Sequence, residues 1–405
     1  MSTLITQQLP AARPEAPRLH LGWLDGMRGL SAFYIVIFHA YSLATVDHEG
    51  GSSESFKWAT RGLLYGHYAV AVFIVLSGFC LMLPVARAQD RRLPGGLLGF
   101  AKRRARRILP PYYCALAITV GLLLASHRLV KHAAEDLADT STGNIITHIL
   151  LIHNLFERYT IQLDTPMWSV AWEWQIYFIF ALILLPVWRR AGILWTVALG
   201  CTIGFSPLLL LPQVSNLSWT APWYVGLFTF GMFAAVVLCS PRDRFGLIKN
   251  AVFQKLALSL TAVILVVLMF LRPQWLERNS YPVVDMIVGA FTALSILACA
   301  INSNSSWLIR MIVKGLEMPA IVTLGAFSYS LYLVHYLILQ KMHFILHKHQ
   351  YSDYLQFTFL TLIGVPICLF ASYLFFLAFE RPFLNTKKHE TMAETARDAA
   401  LLPAP

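Results

Sequence analysis

Leu24-Asp25-Gly26-Met27-Arg28-Gly29-Leu30-Ser31-Ala32-Phe33-Tyr34-Ile35-Val36-Ile37-Phe38-His39 opens the first long apolar run of the chain, which continues to residue 46. A run of roughly 20 apolar residues reads as a membrane-spanning helix, because lipid offers the backbone no hydrogen bonds and a helix supplies its own. Two ionisable groups sit in it. Arg28 precedes His39 by eleven positions. At about 100° per residue that is within ~20° of three full turns, so both fall on one helix face, roughly 16 Å apart along the axis. Ionisable groups inside a bilayer are expensive and tend to be kept for function. The plainer reading is a snorkelling arginine and a histidine bonded to a neighbouring helix.

Working outward, the pattern repeats. The chain has 405 residues, 57% hydrophobic and 13% charged, against about 25% charged in a soluble domain. The fold class is therefore all-α: a polytopic transmembrane helix bundle. Ten spans are expected, at about 29–46, 67–86, 108–126, 168–188, 191–212, 219–240, 253–272, 283–302, 319–340 and 357–379. Residues 21–384 form one membrane domain, 1–20 a disordered segment without a signal-peptide core, and 385–405 a loose tail. The apolar piece 145–156 is too short for a span and suits an interfacial or re-entrant segment.

The net charge of +11 would suit nucleic acid, but its distribution points to a membrane. Arg87, Arg91, Arg92, Lys102, Arg103, Arg104, Arg106 and Arg107 crowd one loop. With the N-terminus inside, this loop and most of the 32 Lys and Arg fall on the inner side. That is the positive-inside pattern, and it predicts both termini in the cytoplasm. The six cysteines fall in or beside spans with no Cys-x-x-Cys pair, so neither a disulfide framework nor a cysteine metal site is expected. His343, His347 and His349 read as a solvated interfacial group, and no metal site is expected. No Gly-x-x-x-x-Gly-Lys loop or Gly-x-Ser-x-Gly elbow occurs, so ATP-driven and serine-esterase chemistry have no signal.

Four further constellations stand beside Arg28 and His39. Arg104 and Arg107 share a face if residues 100–110 are helical, and guanidinium groups pair phosphate oxygens bidentately. That suits a phosphate-rich cytoplasmic donor such as coenzyme A; the plainer reading is contact with lipid phosphates. Trp168-Ser169-Val170-Ala171-Trp172-Glu173-Trp174-Gln175-Ile176-Tyr177 opens a span from the outer face. Its tryptophans suit an interfacial belt, whereas Glu173, with Tyr177 one turn on, needs a partner or a wet cavity. Ser328, Tyr332 and His335 step by four and three along one face, which interhelical hydrogen bonds would also explain. Glu380-Arg381-Pro382 reads as an exposed pair and a helix stop.

These segments together resemble the acyltransferase-3 family of integral-membrane enzymes, which move acyl groups, often acetyl, onto sugars and other acceptors. The likeness runs from about Leu24 to Phe383. It rests on Asp25-Gly26-Met27-Arg28-Gly29 with His39, Val75-Leu76-Ser77-Gly78-Phe79 and Arg104-Ala105-Arg106-Arg107-Ile108-Leu109-Pro110. It continues in Trp168-Ser169 with Glu173 and Tyr177, then Ser328-Tyr329-Ser330-Leu331-Tyr332-Leu333-Val334-His335, and Glu380-Arg381-Pro382. Where many members have an acidic residue this chain has Ala71, and where many have a second phenylalanine it has Ile74. Many members also carry an extracytoplasmic hydrolase-like domain after the spans, and none is expected here.

The resemblance implies that His39 and Arg28 are catalytic, that Arg104 and Arg107 hold acyl-CoA, and that Glu173 and the Ser328-to-His335 face support the acceptor. The expected activity is transfer of an acyl group, acetyl first, from cytoplasmic acyl-CoA to a hydroxyl of a glycan or other envelope acceptor. Trp168, Tyr177, Ser328, Tyr332 and His335 are the expected substrate-binding residues. His39 would act as general base or carry the acyl group covalently. Glu173 and His335 are expected together toward the outer half of the bundle. No permanently bound cofactor is expected, nor a nucleic-acid partner. Membrane lipids, the acyl-CoA donor and a carbohydrate or lipid-linked glycan are the expected partners, in a bacterial inner membrane. A transporter of a polar lipid or sugar is the competing reading, since interior His, Glu and Arg suit a solute path too; paired halves with matching broken spans are not evident.

Overall fold

The computed structural model describes residues 21–45, 53–129, 140–211, 217–271, 281–303 and 305–384. The 1–20 segment and the 385–405 tail lie outside the described residues. The described residues are helical throughout, with no strand among them. The long helices are α1 (Gly22–Thr45), α2 (His67–Arg87), α3 (Gly96–Leu129), α4 (Met167–Ala191), α5 (Ile193–Leu210) and α6 (Tyr224–Cys239). They continue with α7 (Ala251–Leu271), α8 (Tyr281–Asn302), α9 (Pro319–Ala326), α10 (Ser328–Lys348) and α11 (Asp353–Phe383).

Seven helices are long and apolar enough to cross a membrane, and eight if the bent pair α9–α10 counts as one span. The expected ten included α1 and α6, which fall outside that set. α1 has 24 residues but carries Asp25, Arg28 and His39. α6 has 16 residues, about 24 Å of helix. The helices keep large apolar side chains on the outside: Leu256, Leu260 and Val263 on α7, and Leu362, Phe370 and Leu374 on α11, are exposed. In water such a belt would be an aggregation surface; in lipid it is the solvated face.

The span expected at 319–340 is broken. α9 and α10 meet at Phe327 with a bend of 75°. The Ser328 hydroxyl donates to Gly325 O at 2.8 Å, and the first turn of α10 is capped from far along the chain. Glu380 accepts from the Ser330 N–H at 3.1 Å and from its hydroxyl at 2.5 Å. Glu380 is therefore not the exposed residue expected: it is 2% exposed, because a carboxylate at a helix N-terminus satisfies donors that the helix cannot. His343 is likewise buried, not solvated, with its Nδ1 3.0 Å from Gln356 Oε1. No group of three or more potential metal ligands occurs among the described residues.

Prolines bend helices here without ending them. Widened π turns cover Phe180–Leu184, Leu360–Gly364 and Phe376–Glu380, each two residues before Pro186, Pro366 or Pro382. A proline lacks the N–H that would bond four residues back and its ring crowds that carbonyl; a widened turn relieves both.

Two apolar cores result. One joins α2, α4, α6 and α8 around Val75, Phe79, Phe180 and Phe228. The other joins α1, α10 and α11 around Val36, Ala40, Leu331 and Cys368. Glycines set the closest approaches. A Cβ on Gly29 would lie 2.6 Å from Ile321 O of α9, and one on Gly231 of α6 would overlap Val75 O of α2. The apolar 145–156 piece folds as a short helix (Thr142–Ile149) and a 3-10 turn (His153–Leu155), too short to cross a membrane. It is pinned to α3 and α4: the Tyr112 hydroxyl donates to His148 O at 3.0 Å and Gln175 Nε2 to Leu151 O at 2.9 Å.

Two stability predictions follow from this packing. Gly231→Leu should lower the thermal unfolding temperature of the detergent-solubilised protein by several degrees, the result of overpacking costing about 1–3 kcal/mol. Gly246→Ala, where added atoms meet nothing within 4 Å, should leave it unchanged. Asp164, just before α4, is 2% exposed and neither carboxyl oxygen has a hydrogen-bond partner among the described residues. Burial pushes its carboxyl up from 3.8 to about 8. The folded protein then keeps a proton that the unfolded chain releases above pH 4, so stability falls as pH rises toward 8 and levels off beyond it. In Asp164→Asn that fall should flatten; an unaltered slope in thermal unfolding would count against the assignment.

Candidate active site

α1 and α10 run side by side in the same direction, since Arg28 and Ser328 line one cavity and His39 and His335 meet further along. The two imidazoles are joined Nδ1 of His39 to Nε2 of His335 at 2.8 Å, across 296 residues of sequence. His335 is wholly buried, and its Nδ1 lies 2.8 Å from Leu331 O. A carbonyl only accepts, so His335 Nδ1 carries a proton, and when both rings are neutral its Nε2 is a lone pair. His39 Nδ1 must then be the donor. That leaves Nε2 of His39 unprotonated, as a base or nucleophile needs. Tyr336 packs edge-on against the His39 ring at 5.0 Å and holds its plane.

Toward the arginine-rich end lies a cavity of about 350 Å³ between α1, α2, α3, α4 and α10. Three guanidinium groups reach it: Arg28, Arg104 and Arg107. The basic stretch before residue 110 is helical within α3, so Arg104 and Arg107 share a face as their spacing predicted. Arg28 donates to Asp25 Oδ1 at 2.8 Å and to Cys80 Sγ at 3.1 Å. Arg104 lies 5.8 Å from the centre of the Tyr177 ring, and its Nε has no hydrogen-bond partner among the described residues. Glu173 accepts from Ser77 at 3.1 Å and from the Tyr177 hydroxyl, and Arg28 lies within its electrostatic reach. Three cations facing one carboxylate make the cavity positive.

Of the residues expected in the site, Arg28, Arg104, Arg107, Glu173, Tyr177, Ser328 and Tyr332 share this cavity. His39 and His335 pair with each other and are not among its lining residues. Between the two places stands Tyr332, whose hydroxyl is 2.6 Å from Ser169 Oγ and whose ring lies 5.9 Å from that of His335. Two placements differ from expectation. Glu173 and His335 were both expected toward the outer half of the bundle; Glu173 lines the cavity with Arg28, because one further turn of α4 past Ser169 carries it toward the arginines. Trp168 was expected to bind substrate with Tyr177; it is not among the residues lining this cavity and stacks on His67, ring centres 6.2 Å apart and 10° from parallel. Ser77, Cys80 and Ser169 were missed as site residues, although Ser77 and Ser169 lie in motifs whose order the sequence displays.

The family described as Acyltransferase domain matches residues 21–377. O-acetyltransferase OatA of Staphylococcus aureus (strain NCTC 8325 / PS 47) is 23% identical over 338 residues, covering 80% of this chain and 51% of the relative. A second Staphylococcus aureus protein (strain COL), carrying a provisional O-acetyltransferase name, is 24% identical over 393 residues, covering 89% of this chain and 56% of the relative. The chain thus spans about half the length of these curated relatives. No solved structure matches. With most of its length matched, and with the motif residues gathered around one cavity and one histidine pair, the chain belongs to the acyltransferase-3 family of multi-pass membrane enzymes.

Proposed function

We propose that this enzyme moves an acyl group, acetyl in the first instance, from cytoplasmic acyl-CoA to a hydroxyl of a glycan or other envelope acceptor, working in a bacterial inner membrane. The observation that carries the reading is the arrangement of three arginines on one cavity with the His39–His335 pair beyond it. The O-acetyltransferase names of the relatives favour acetyl transfer to oxygen. The positive-inside rule favours the arginine-rich end, with both termini, as the cytoplasmic side.

In this reading the donor's phosphates pair with Arg104 and Arg107, whose forked donors suit them. Arg28, oriented by Asp25 and Cys80, meets the donor deeper in the cavity. The hydrogen bond between Tyr332 and Ser169, 2.6 Å long, closes the way to the histidine pair and opens to admit the thioester arm. His39 Nε2 takes the proton of the acceptor hydroxyl as its oxygen attacks the thioester carbonyl carbon. The tetrahedral intermediate then collapses: the carbon–sulfur bond breaks, and the proton on His39 passes to the departing thiolate. Products are the ester and free CoA thiol. His335 accepts the Nδ1–H of His39 throughout and so favours its cationic form in the transition state. The same lone pair serves a covalent route, with the acyl group resting on Nε2 before the acceptor arrives; an acyl adduct in acid-quenched protein would distinguish it.

Membrane vesicles given labelled acetyl-CoA and a mixed glycan extract provide the test. Wild type should label a glycan, and His39→Ala should lose about 10²–10⁴-fold of the rate. Equal labelling by both would remove His39 from the chemistry, and no consumption of acetyl-CoA by folded wild type would remove the donor. Arg104→Ala with Arg107→Ala should raise KM for acetyl-CoA, whereas His335→Ala should lower kcat with that KM little changed. The opposite split would exchange their roles.

A further inference from the structure

Opposite the arginines, α2, α4, α6 and α8 bring together a second polar cluster that the transfer chemistry does not use. Asp285 of α8 is wholly buried. Its Oδ2 accepts from Trp223 Nε1 at 2.7 Å and lies 3.2 Å from His67 Nε2. Its Oδ1 is buried with no hydrogen-bond partner among the described residues. An unmet acceptor at such a place costs free energy unless a donor arrives. A carboxylate oxygen accepts, so His67 Nε2 donates to Oδ2, and Nδ1 is the ring's second hydrogen-bonding atom, on a side chain 22% exposed.

Aromatic rings surround this pair. Trp168 lies parallel to His67, and Tyr281 is 4.8 Å from it, centre to centre. Tyr68 stands 6.4 Å from Tyr281 and stacks on Tyr65 at 6.1 Å. Tyr65, Tyr68 and Tyr281 are half-buried, so they form a rim while Asp285 forms the floor. Ring faces beside buried hydrogen-bond acceptors match a sugar, whose C–H face packs on aromatics while its hydroxyls donate.

We propose that this cluster is a binding subsite for a pyranose ring of the acceptor, with Asp285 Oδ1 and His67 Nδ1 receiving its hydroxyls and Tyr281 and Tyr68 packing on its C–H face. Its role as acceptor subsite rests on the acyl-transfer reading above. Its position fits that role. His67 and Val70 are three apart on α2, and Val70 lines the cavity. Trp168 adjoins Ser169, which closes the cavity against Tyr332. Phe38, next to His39, packs on Gly66, next to His67. The subsite thus lies one turn of α2 beyond the cavity, on the side away from the arginines. A quaternary ammonium also suits aromatic rings near a carboxylate, but the Asp285 charge here is already shared by two donors on Oδ2.

Saturation-transfer NMR on the full chain in lipid nanodiscs tests this without any acyl donor. The probes are methyl β-glucoside, methyl α-rhamnoside, methyl N-acetyl-β-glucosaminide and choline. Ring C–H protons of at least one glycoside should be saturated by wild type and by His39→Ala alike. The signal should fall by roughly a factor of ten in Asp285→Asn and in Tyr281→Ala, a loss of order 1.4 kcal/mol. Tyr68→Ala, at the rim, decides the matter if Asp285→Asn does not fold. No glycoside saturated, choline alone saturated, or equal signals in the folded variants would overturn the proposal. Because binding is read apart from chemistry, glycoside binding with no acetyl transfer would overturn the transfer reading and leave the sugar site standing.

Discussion

Backbone contact between α1 and α9 is the constraint on which the site depends. Gly29 and Gly325 face each other with no side chain between, and a Cβ on Gly325 would overlap Asp25 O. In lipid, helices gain little from hydrophobic burial against one another, so close packing of small residues carries the association. Here it also sets register. With α1 fixed against α9, and α10 turned 75° away at Phe327, Arg28 falls level with Ser328 and His39 falls opposite His335. A shift of a single turn, about 5.4 Å, would part the imidazoles and leave His39 Nδ1 and His335 Nε2 without each other.

The same economy recurs wherever a charge enters the apolar interior. Arg28 is held by Asp25 and Cys80, Glu173 by Ser77 and Tyr177, and Glu380 by Ser330. Each has its hydrogen bonds supplied by the protein, which is what makes an ionisable group tolerable there. All three link separate helices, and the contact of Arg28 on α1 with Cys80 on α2 crosses the seam from one apolar core to the other. The cavity lies on that seam, where α2 and α4 of one core face α1 and α10 of the other.

Polarity is divided along the seam. Guanidinium groups collect at one end, the His39–His335 pair stands further along, and Tyr332 with Ser169 separates them. In the proposed reaction a phosphate-rich donor and a hydroxyl acceptor make opposite demands: one needs fixed positive charge, the other a neutral base. Holding the two environments on either side of one hydrogen bond lets a single bundle meet both.

What the sequence by itself determined is what a helix determines locally. Periods of three, four and eleven residues put Arg104 beside Arg107, Ser328 below Tyr332, and Arg28 in line with His39, and apolar run lengths marked the segments that could enter a membrane. These depend only on 3.6 residues per turn and on the cost of polar groups in lipid. Which faces meet is a different matter. His335 as the partner of His39, Glu173 beside Arg28, Glu380 capping α10, and Trp168 turned to His67 and Asp285 all join residues far apart in the chain. They follow from where glycines allow two backbones to touch and where prolines widen a turn, and those contacts exist only once the helices have packed.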